Sequence, residues 1–193
     1  DLRFELVSGP DWLSLSSTGL LSGTPSNDEV GERDVTVRVI DSEGLSDQGT
    51  FRLTVENVND APEFNFTPPG SPAAPPSSVE EDAGFNYQLT ANDVDSNDTL
   101  SFEGLSLPGW LTVSSSGLLS GTPSNDDVGT HSVTVRVTDS AGAYDTKTFS
   151  LSVNNVNDAP VLEQGKLPSN FSQNEEINYQ FIATDEDTKY GDQ

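Results

Sequence analysis

The sequence predicts an all-β protein built from tandem antiparallel β-sandwiches, and two observations carry the prediction. Apolar and polar residues alternate over several short runs, a period of two that is typical of strands with one buried face. The chain also repeats itself, because residues 20–28 recur unchanged as 118–126 and residues 35–39 recur as 133–137, both at an offset of 98 positions. No segment shows a sustained helical period, so each copy is expected to be a β-domain.

The elements of the second copy follow in chain order. Predicted strands cover residues 87–91, 100–103, 110–113, 118–120, 133–137 and 149–153. The last two are the clearest, since Val133, Val135 and Val137 alternate with polar residues. Between them, residues 139–142 form a hairpin-type connection in which Gly142 is expected to take a positive φ. About seven short strands in roughly 100 residues indicate a sandwich of the immunoglobulin-like class.

Two copies of a Val-Asn-Asp-Ala-Pro pentapeptide, residues 58–62 and 156–160, mark the boundaries between repeats. In this register, residues 1–60 are the later part of one repeat, 61–158 are a complete repeat, and 159–193 are the early part of a third. The segments that follow the two pentapeptides also match each other, for example residues 86–95 and 178–187, but at an offset of 92 positions. The offset is smaller than 98 because the first linker carries a Pro-rich insertion within residues 68–76. The terminal pieces are complementary parts of one sandwich, so they could complement each other between chains or within one chain, or stay unpaired.

Composition excludes several functions. The chain of 193 residues has 32 Asp and Glu against 8 Lys and Arg, a formal net charge of -24, no Cys and one His. So acidic a surface is a poor partner for nucleic acid. No apolar stretch is long enough for membrane insertion, and the absence of Cys rules out a disulfide framework.

Carboxylates gather at the two predicted junctions, where they indicate a cation. Calcium takes six to eight oxygen ligands from carboxylates, amides and backbone carbonyls. The candidates at the first junction are Asn59, Asp60, Glu80, Glu81, Asp82, Asp93, Asp95 and Asp139. At the second they are Asn157, Asp158, Glu175, Glu176, Asp185 and Asp187. In an extended chain Asp93 and Asp95 point the same way, so they can address one ion.

Other calcium motifs do not fit. An EF-hand loop that starts at Asp93 has Asp98 in place of the required Gly, and its twelfth position is Gly104 rather than Glu. The glycine-rich nonapeptide of calcium-binding β-rolls does not occur in the sequence either.

Three segments carry a resemblance to a known family. They are Leu-Pro-Gly-Trp-Leu at residues 107–111, Gly-Leu-Leu-Ser-Gly-Thr-Pro at 117–123 and Val-Thr-Asp-Ser-Ala-Gly at 137–142. Together they resemble a dystroglycan-type cadherin-like repeat, also described as a putative-Ig repeat of bacterial surface or secreted proteins. The linker is similar to the cadherin Asp-x-Asn-Asp-x-x-Pro junction, and residues 93–95 are similar to the cadherin Asp-x-Asp pair.

The resemblance implies a calcium-stabilised adhesion or spacer module of a large extracellular, secreted or cell-surface protein. Its partners would be other cadherin-like repeats. Calcium at the first junction would be held by Asn59 and Asp60 from one module, and by Glu81 or Glu80, Asp93, Asp95 and Asp139 from the next. The cadherin Leu-Asp-Arg-Glu segment has no counterpart, because Gly-Thr-Pro-Ser-Asn-Asp occupies that region.

Two alternatives remain open from the residues. Trp12 and Trp110 could stack on sugars, which would make the chain a carbohydrate-binding module of a polysaccharide-associated protein. Their fixed place after a Pro-containing turn favours packing in the sandwich instead. An enzyme is not expected, since the chain has no nucleophile elbow and its single His, His131, belongs to no triad pattern.

Overall fold

A computed structural model describes residues 1–66, 74–95, 97–163, 170, 172–174, 176 and 178–190. The chain forms two compact units. The first comprises Asp1–Asp60 together with Asp93–Asp98, and the second comprises Ala61–Asn92 together with Thr99–Gln193. No helix in the described ranges is both long and apolar enough to cross a membrane. The predicted division of the chain at residue 158 stays a prediction.

The first unit consists of two small antiparallel sheets. Its strands are β1 (Arg3–Ser8), β2 (Leu13–Leu15), β3 (Leu21–Gly23), β4 (Gly31–Ile40) and β5 (Ser46–Val55). They form a three-stranded sheet in the order β1-β4-β5 and a two-stranded sheet of β2 with β3. A short 3-10 helix at Asn27–Glu29 precedes β4.

The second unit contains the second copy of the sequence repeat and two further strands. Its strands are β6 (Glu63–Phe64), β7 (Ser78–Glu80), β8 (Phe85–Gln88), β9 (Ala91–Asn92), β10 (Ser101–Ser106), β11 (Leu111–Val113), β12 (Leu118–Gly121), β13 (Gly129–Thr138), β14 (Tyr144–Asn154), β15 (Val161–Leu162) and β16 (Ala183–Thr184). The larger sheets have the orders β10-β13-β14-β7 and β11-β12-β8, and β6 pairs with β9 as β15 does with β16. Short 3-10 helices cover Asn125–Asp127 and Glu186–Tyr190.

The predicted hairpin is confirmed. Strands β13 and β14 are antiparallel, with Val133 opposite Phe149 and Thr138 opposite Tyr144. Gly142 in the connection has a φ of 96°, a left-handed conformation that favours glycine. The core of the repeat lies beneath this hairpin, where Val133, Val135 and Val137 are fully buried.

The single strand predicted over residues 87–91 is wrong, because the chain changes sheets there. Strand β8 pairs with β12, whereas β9 pairs with β6. Leu89 lies at the change and is 1% exposed, so the alternating Tyr-Gln-Leu-Thr-Ala pattern of residues 87–91, which suggested one strand, includes a buried crossing between two. Its backbone N–H donates to the carbonyl of Gly117 at 2.8 Å, which keeps the crossing residue hydrogen-bonded.

One pairing in the second unit was not anticipated. Strand β7 runs parallel to β14, with Ser78 opposite Ser152 and Glu80 opposite Asn154. Because β7 is the edge strand next to the last strand of the repeat, the residues that follow β7 lie beside the second pentapeptide. The backbone N–H of Glu81 accordingly donates to the carbonyl of Asn154 at 3.0 Å.

Candidate metal centre

In the first unit, three side chains meet at the middle residue of the first pentapeptide, Asp60. The backbone N–H of Asp60 donates to Oδ2 of Asp95 at 2.7 Å. Nδ2 of Asn27 donates to Oδ2 of Asp60 at 3.2 Å and to Oδ1 of Asp95 at 3.3 Å. The structure therefore brings two of the predicted carboxylates together and adds an amide that the sequence interpretation left out.

Asp93 and Asp95 do meet, although the chain between them is not extended as predicted. The backbone bends, and the N–H of Asp95 donates to Oδ1 of Asp93 at 2.9 Å. Short polar side chains commonly close such a local turn by binding a backbone N–H two residues ahead. Asp95 is buried, at 8% exposure, and its side-chain carboxylate accepts the backbone N–H of Asp60 in the linker.

The second unit repeats this arrangement around the second pentapeptide. The backbone N–H of Asp158 donates to Oδ2 of Asp187 in a short hydrogen bond. Nδ2 of Asn125 donates to Oδ1 of Asp187 at 3.2 Å, and the N–H of Asp187 donates to Oδ1 of Asp185 at 2.9 Å. Asp187 is fully buried. Three hydrogen bonds of the first unit therefore recur at the corresponding residues of the second unit.

Glu80 and Glu81 lie at the second pentapeptide, so their assignment to the first junction is wrong. Oε1 of Glu81 accepts the N–H of Val156 at 2.6 Å, and Oε1 of Glu80 accepts Nδ2 of Asn154 at 3.0 Å. The cause is the parallel pairing of β7 with β14, which carries the residues after β7 to the far end of their own repeat.

Two buried carboxylates consequently hold the second linker at residues two positions apart. Glu81, 2% exposed, takes the N–H of Val156, and the fully buried Asp187 takes the N–H of Asp158. None of the ion pairs among the described residues involves Glu81 or Asp187. A buried carboxylate without a cation is unfavourable, because the interior solvates it far less well than water does.

The donor atoms at this linker suit a hard cation. Oε2 of Glu81 and Oδ1 of Asn155 are buried and have no hydrogen-bond partner among the described residues. In the first unit, the same holds for Oδ2 of Asp93. Carboxylate and amide oxygens are the ligands that calcium prefers, so the residues present fit this ion.

The sequence matches the family described as "Putative Ig domain" over residues 4–56 and again over 67–154. The chain belongs to the Putative Ig domain family. No curated protein sequence gives a significant match.

The fold of this Putative Ig domain chain is that of cadherin repeats. Human CDH23 EC21-23 is 21% identical with a TM-score of 0.63, and 96% of this chain and 68% of that one are covered. Drosophila N-cadherin EC1-4 is 17% identical with a TM-score of 0.57, over 95% of this chain and 50% of the cadherin. An endo-fucoidan hydrolase of glycoside hydrolase family 107 is 29% identical over 80% of this chain and only 24% of its own length, with a TM-score of 0.42.

The remaining predicted ligands of the Putative Ig repeats have other contacts. Nδ2 of Asn59 donates to the carbonyl of Asp60 at 2.8 Å, and Nδ2 of Asn157 donates to that of Asp158 at 2.9 Å. Glu176 is exposed, and Glu175 lies outside the described residues. None of these observations tests the residues as metal ligands, so those roles stay predictions.

Asp139, the last predicted ligand, closes the β13–β14 turn. Its Oδ1 accepts the N–H groups of Ala141, Gly142 and Ala143 at 2.9, 2.6 and 2.8 Å. Asp139 is 7% exposed. Oδ1 of Asp139 therefore stabilises the turn between β13 and β14.

Asn27 and Asn125 are the functional candidates that sequence reasoning missed. They hold the same place in the Gly-Thr-Pro-Ser-Asn-Asp segment of each Putative Ig repeat, and Asn125 is 8% exposed. The available signal was their identity in two copies 98 positions apart. That signal did not separate them from the other residues of an unchanged nine-residue block.

Trp110 packs on the core of the Putative Ig repeat. Its ring meets Phe85 edge-on at 6.2 Å and His131 at 6.4 Å between centroids. His131 itself is half-buried, with Nε2 2.6 Å from the carbonyl oxygen of Asp127. This packing agrees with the structural alternative for the tryptophan, and carbohydrate binding stays a prediction.

Proposed function

We propose that the second linker binds Ca²⁺, and that the chain is a calcium-stabilised adhesion or spacer module of a large extracellular repeat protein. The observation that carries this proposal is the pair of buried carboxylates, Glu81 and Asp187, on one linker, neither of which forms an ion pair within the described part of the chain. Asn125, Asn155, Asp158 and Asp185 are the further residues that would hold the ion. Asn27, Asp60, Asp93 and Asp95 would form the corresponding site of the first unit.

A bound cation would act on the linker through charge. It would neutralise carboxylates that otherwise repel one another, and it would tie residues 156–158 to the body of the repeat. Because the site does not exist in the unfolded chain, the free energy of binding would appear as stability of the folded state.

The role as a spacer or adhesion module rests on the family and on the composition. A tandem array of sandwiches with a strongly acidic surface suits an extended extracellular protein, and one structural relative, protocadherin γB7 EC3-6, is described as a cis-dimer. That relative is 21% identical, so its assembly supports only the general idea of contacts with other repeats.

Calcium titration of the whole chain tests the proposal. We expect calorimetric heat of binding and a rise in melting temperature with Ca²⁺, both reversed by a chelator. Glu81→Gln removes one carboxylate and should weaken binding by about tenfold or more, equivalent to roughly 1.4 kcal/mol.

The matched control is Glu63→Gln, an exposed glutamate of β6. It should bind as the unmodified chain does. Absence of binding heat together with an unchanged melting temperature in chelator would refute the calcium site.

A further inference from the structure

A lysine lies beside the second linker. Nζ of Lys189 is 2.9 Å from Oδ1 of Asp126, and the two side chains are 46% and 95% exposed. Lys189 and the buried Asp187 belong to one short 3-10 helix of the second unit, whereas Asp126 and Asn125 belong to the other. The ion pair therefore joins the same two helices as the hydrogen bond from Asn125 to Asp187, which lies next to the linker.

The same groups line a cavity of about 390 Å³. Its walls include the carboxylates of Asp126 and Glu186, together with Asn125 and Lys189. Asn125 is one of the residues that would hold Ca²⁺ at the second linker. The Lys189 ammonium thus shares a cavity with the proposed calcium site, and it is already paired with one of the two carboxylates there.

The first unit forms the same hydrogen bonds without the lysine. Asn97 stands where the second unit has Lys189, at the offset of 92 positions that relates the two segments. Asp95 nevertheless accepts hydrogen bonds from Asp60 and Asn27, as its counterpart does in the second unit. The lysine is therefore not needed to form these contacts. An exposed ion pair also contributes little to folding stability, so a purely structural tether is a weak explanation for the lysine.

We propose that Lys189 acts as a built-in cation at the second linker and competes there with Ca²⁺. This role rests on the proposed calcium site, because it describes how that site is regulated. In the absence of calcium, the ammonium offsets part of the repulsion among the carboxylates of the second linker. When Ca²⁺ binds, the ammonium and the ion repel each other through space, over about a Debye length. The linker therefore keeps part of its stability at low calcium, and its site fills only at a higher concentration of Ca²⁺.

Lys189→Gln tests this role, because it removes the charge and keeps an N–H donor. At low ionic strength, calorimetric titration of the whole chain should show about two- to fivefold tighter binding of Ca²⁺ at the second linker. The side-chain amide NMR signals of Asn125 and Asn27 assign each affinity to its linker. The melting temperature in chelator should fall slightly, since the carboxylates lose a nearby counter-charge. Loss of a purely structural tether would also lower the melting temperature, but it would not tighten the binding of Ca²⁺.

Two controls keep the test specific. Lys189→Arg retains the positive charge and should bind Ca²⁺ as the unmodified chain does. Lys147→Gln removes one charge from an ion pair with Asp145, within the β13–β14 hairpin rather than at the linker, and should change the affinity little. If Lys189→Gln bound Ca²⁺ no more tightly than Lys147→Gln, the role of Lys189 would be overturned and the calcium site would stand. Absence of binding heat in every variant would overturn both.

Discussion

Glu29 and Asp127 hold the same position in the two repeats, and the additional methylene group of Glu29 gives the two carboxylates different contacts. Oε2 of Glu29 accepts the indole N–H of Trp12 at 3.1 Å. Its counterpart Asp127 is shorter, and its Oδ2 instead accepts the N–H and the hydroxyl of Ser124 at 2.9 and 2.8 Å. Nε1 of Trp110 is then buried without a partner among the described residues. The second repeat therefore gains a capped 3-10 helix and loses a tryptophan hydrogen bond.

The cap makes the stability of the second unit sensitive to acid. The N–H and the hydroxyl of Ser124 lower the pKa of Asp127 below its ordinary value. A lowered folded-state pKa contributes stability that is present above the unfolded pKa and is lost as pH falls through the folded pKa. Because solvent screens the charge of the largely accessible Asp127 carboxylate, Asp127→Asn should cost only about 0.5 kcal/mol at neutral pH and less in strong acid.

Urea denaturation at several pH values measures this effect. Asp28→Asn, at an exposed aspartate of the uncapped first 3-10 helix, is the control and should change little. If Asp127→Asn lowered the free energy of unfolding equally at every pH, the charge of the Asp127 carboxylate would not be what stabilises the cap.

Asn125 is expected to matter even without a metal. Its amide is the side-chain donor to Oδ1 of the fully buried Asp187. Loss of a partner to a buried polar group costs about 1–3 kcal/mol, so Asn125→Ala should lower the free energy of unfolding by that amount in the presence of a chelator. Asn86→Ala, on the exposed side of β8, should be close to neutral. Equal stability of the two variants would argue against the role of Asn125.

At the scale of elements, a glycine lets the short sheet fold against its tryptophan. A Cβ added at Gly121, at the end of β12, would lie 2.0 Å from the carbonyl oxygen of Trp110 and 3.0 Å from its ring. Gly23 stands in the same relation to Trp12, with distances of 2.3 and 2.8 Å. Both repeats therefore require glycine where β11 and β12, or β2 and β3, pair most closely.

Replacement of this glycine should be costly. Gly121→Ala forces a backbone shift, and the expected loss is about 1–3 kcal/mol in the free energy of unfolding. Gly109→Ala is the matched control, because its Cβ would meet nothing within 4 Å. Thermal denaturation of both variants checks the difference, and a Gly121→Ala variant as stable as the control would contradict the close packing.

Periodicity predicted the long strands well and the short ones less well. The alternation of Val133, Val135 and Val137 reflects one buried face, so β13 was recognisable from local sequence alone. The change of sheet at Leu89 was not, since the alternation of apolar and polar residues continues through the crossing at residues 87–91. The parallel pairing of β7 with β14 depends on residues 74 positions apart, which no local pattern encodes.

The candidate site shows the same limit. The repeated pentapeptide located the linkers, and the carboxylates around each copy indicated a cation, because both features are visible in the sequence. Glu81 was grouped with the wrong linker, because it lies closer in sequence to residue 60 than to residue 156. Asn125 carries no charge, and its contact with Asp187 spans 62 positions.

For the whole molecule, the net charge of -24 predicts a strong dependence on salt. Screening weakens repulsion between exposed carboxylates over a Debye length of about 8 Å at 0.15 M ionic strength. NaCl should therefore raise the melting temperature, and Ca²⁺ at equal ionic strength should raise it further if specific sites exist. Glu81→Gln should keep the effect of NaCl and lose part of the additional effect of Ca²⁺. An identical change in melting temperature with Ca²⁺ and with NaCl would show that calcium acts only by screening charge.

The parallel pairing of β7 with β14 has a mechanical consequence. Chain that precedes β7 leaves the sheet in one direction, and the linker after β14 leaves in the opposite direction. A pulling force on those two points loads the hydrogen bonds between Ser78–Glu80 and residues 152–154 in shear, so that they must break together rather than one after another. Two further hydrogen bonds extend this row, since Glu80 accepts from Nδ2 of Asn154 and Glu81 accepts from the N–H of Val156. A repeat tethered through its two ends would resist tension at the place where its linker begins.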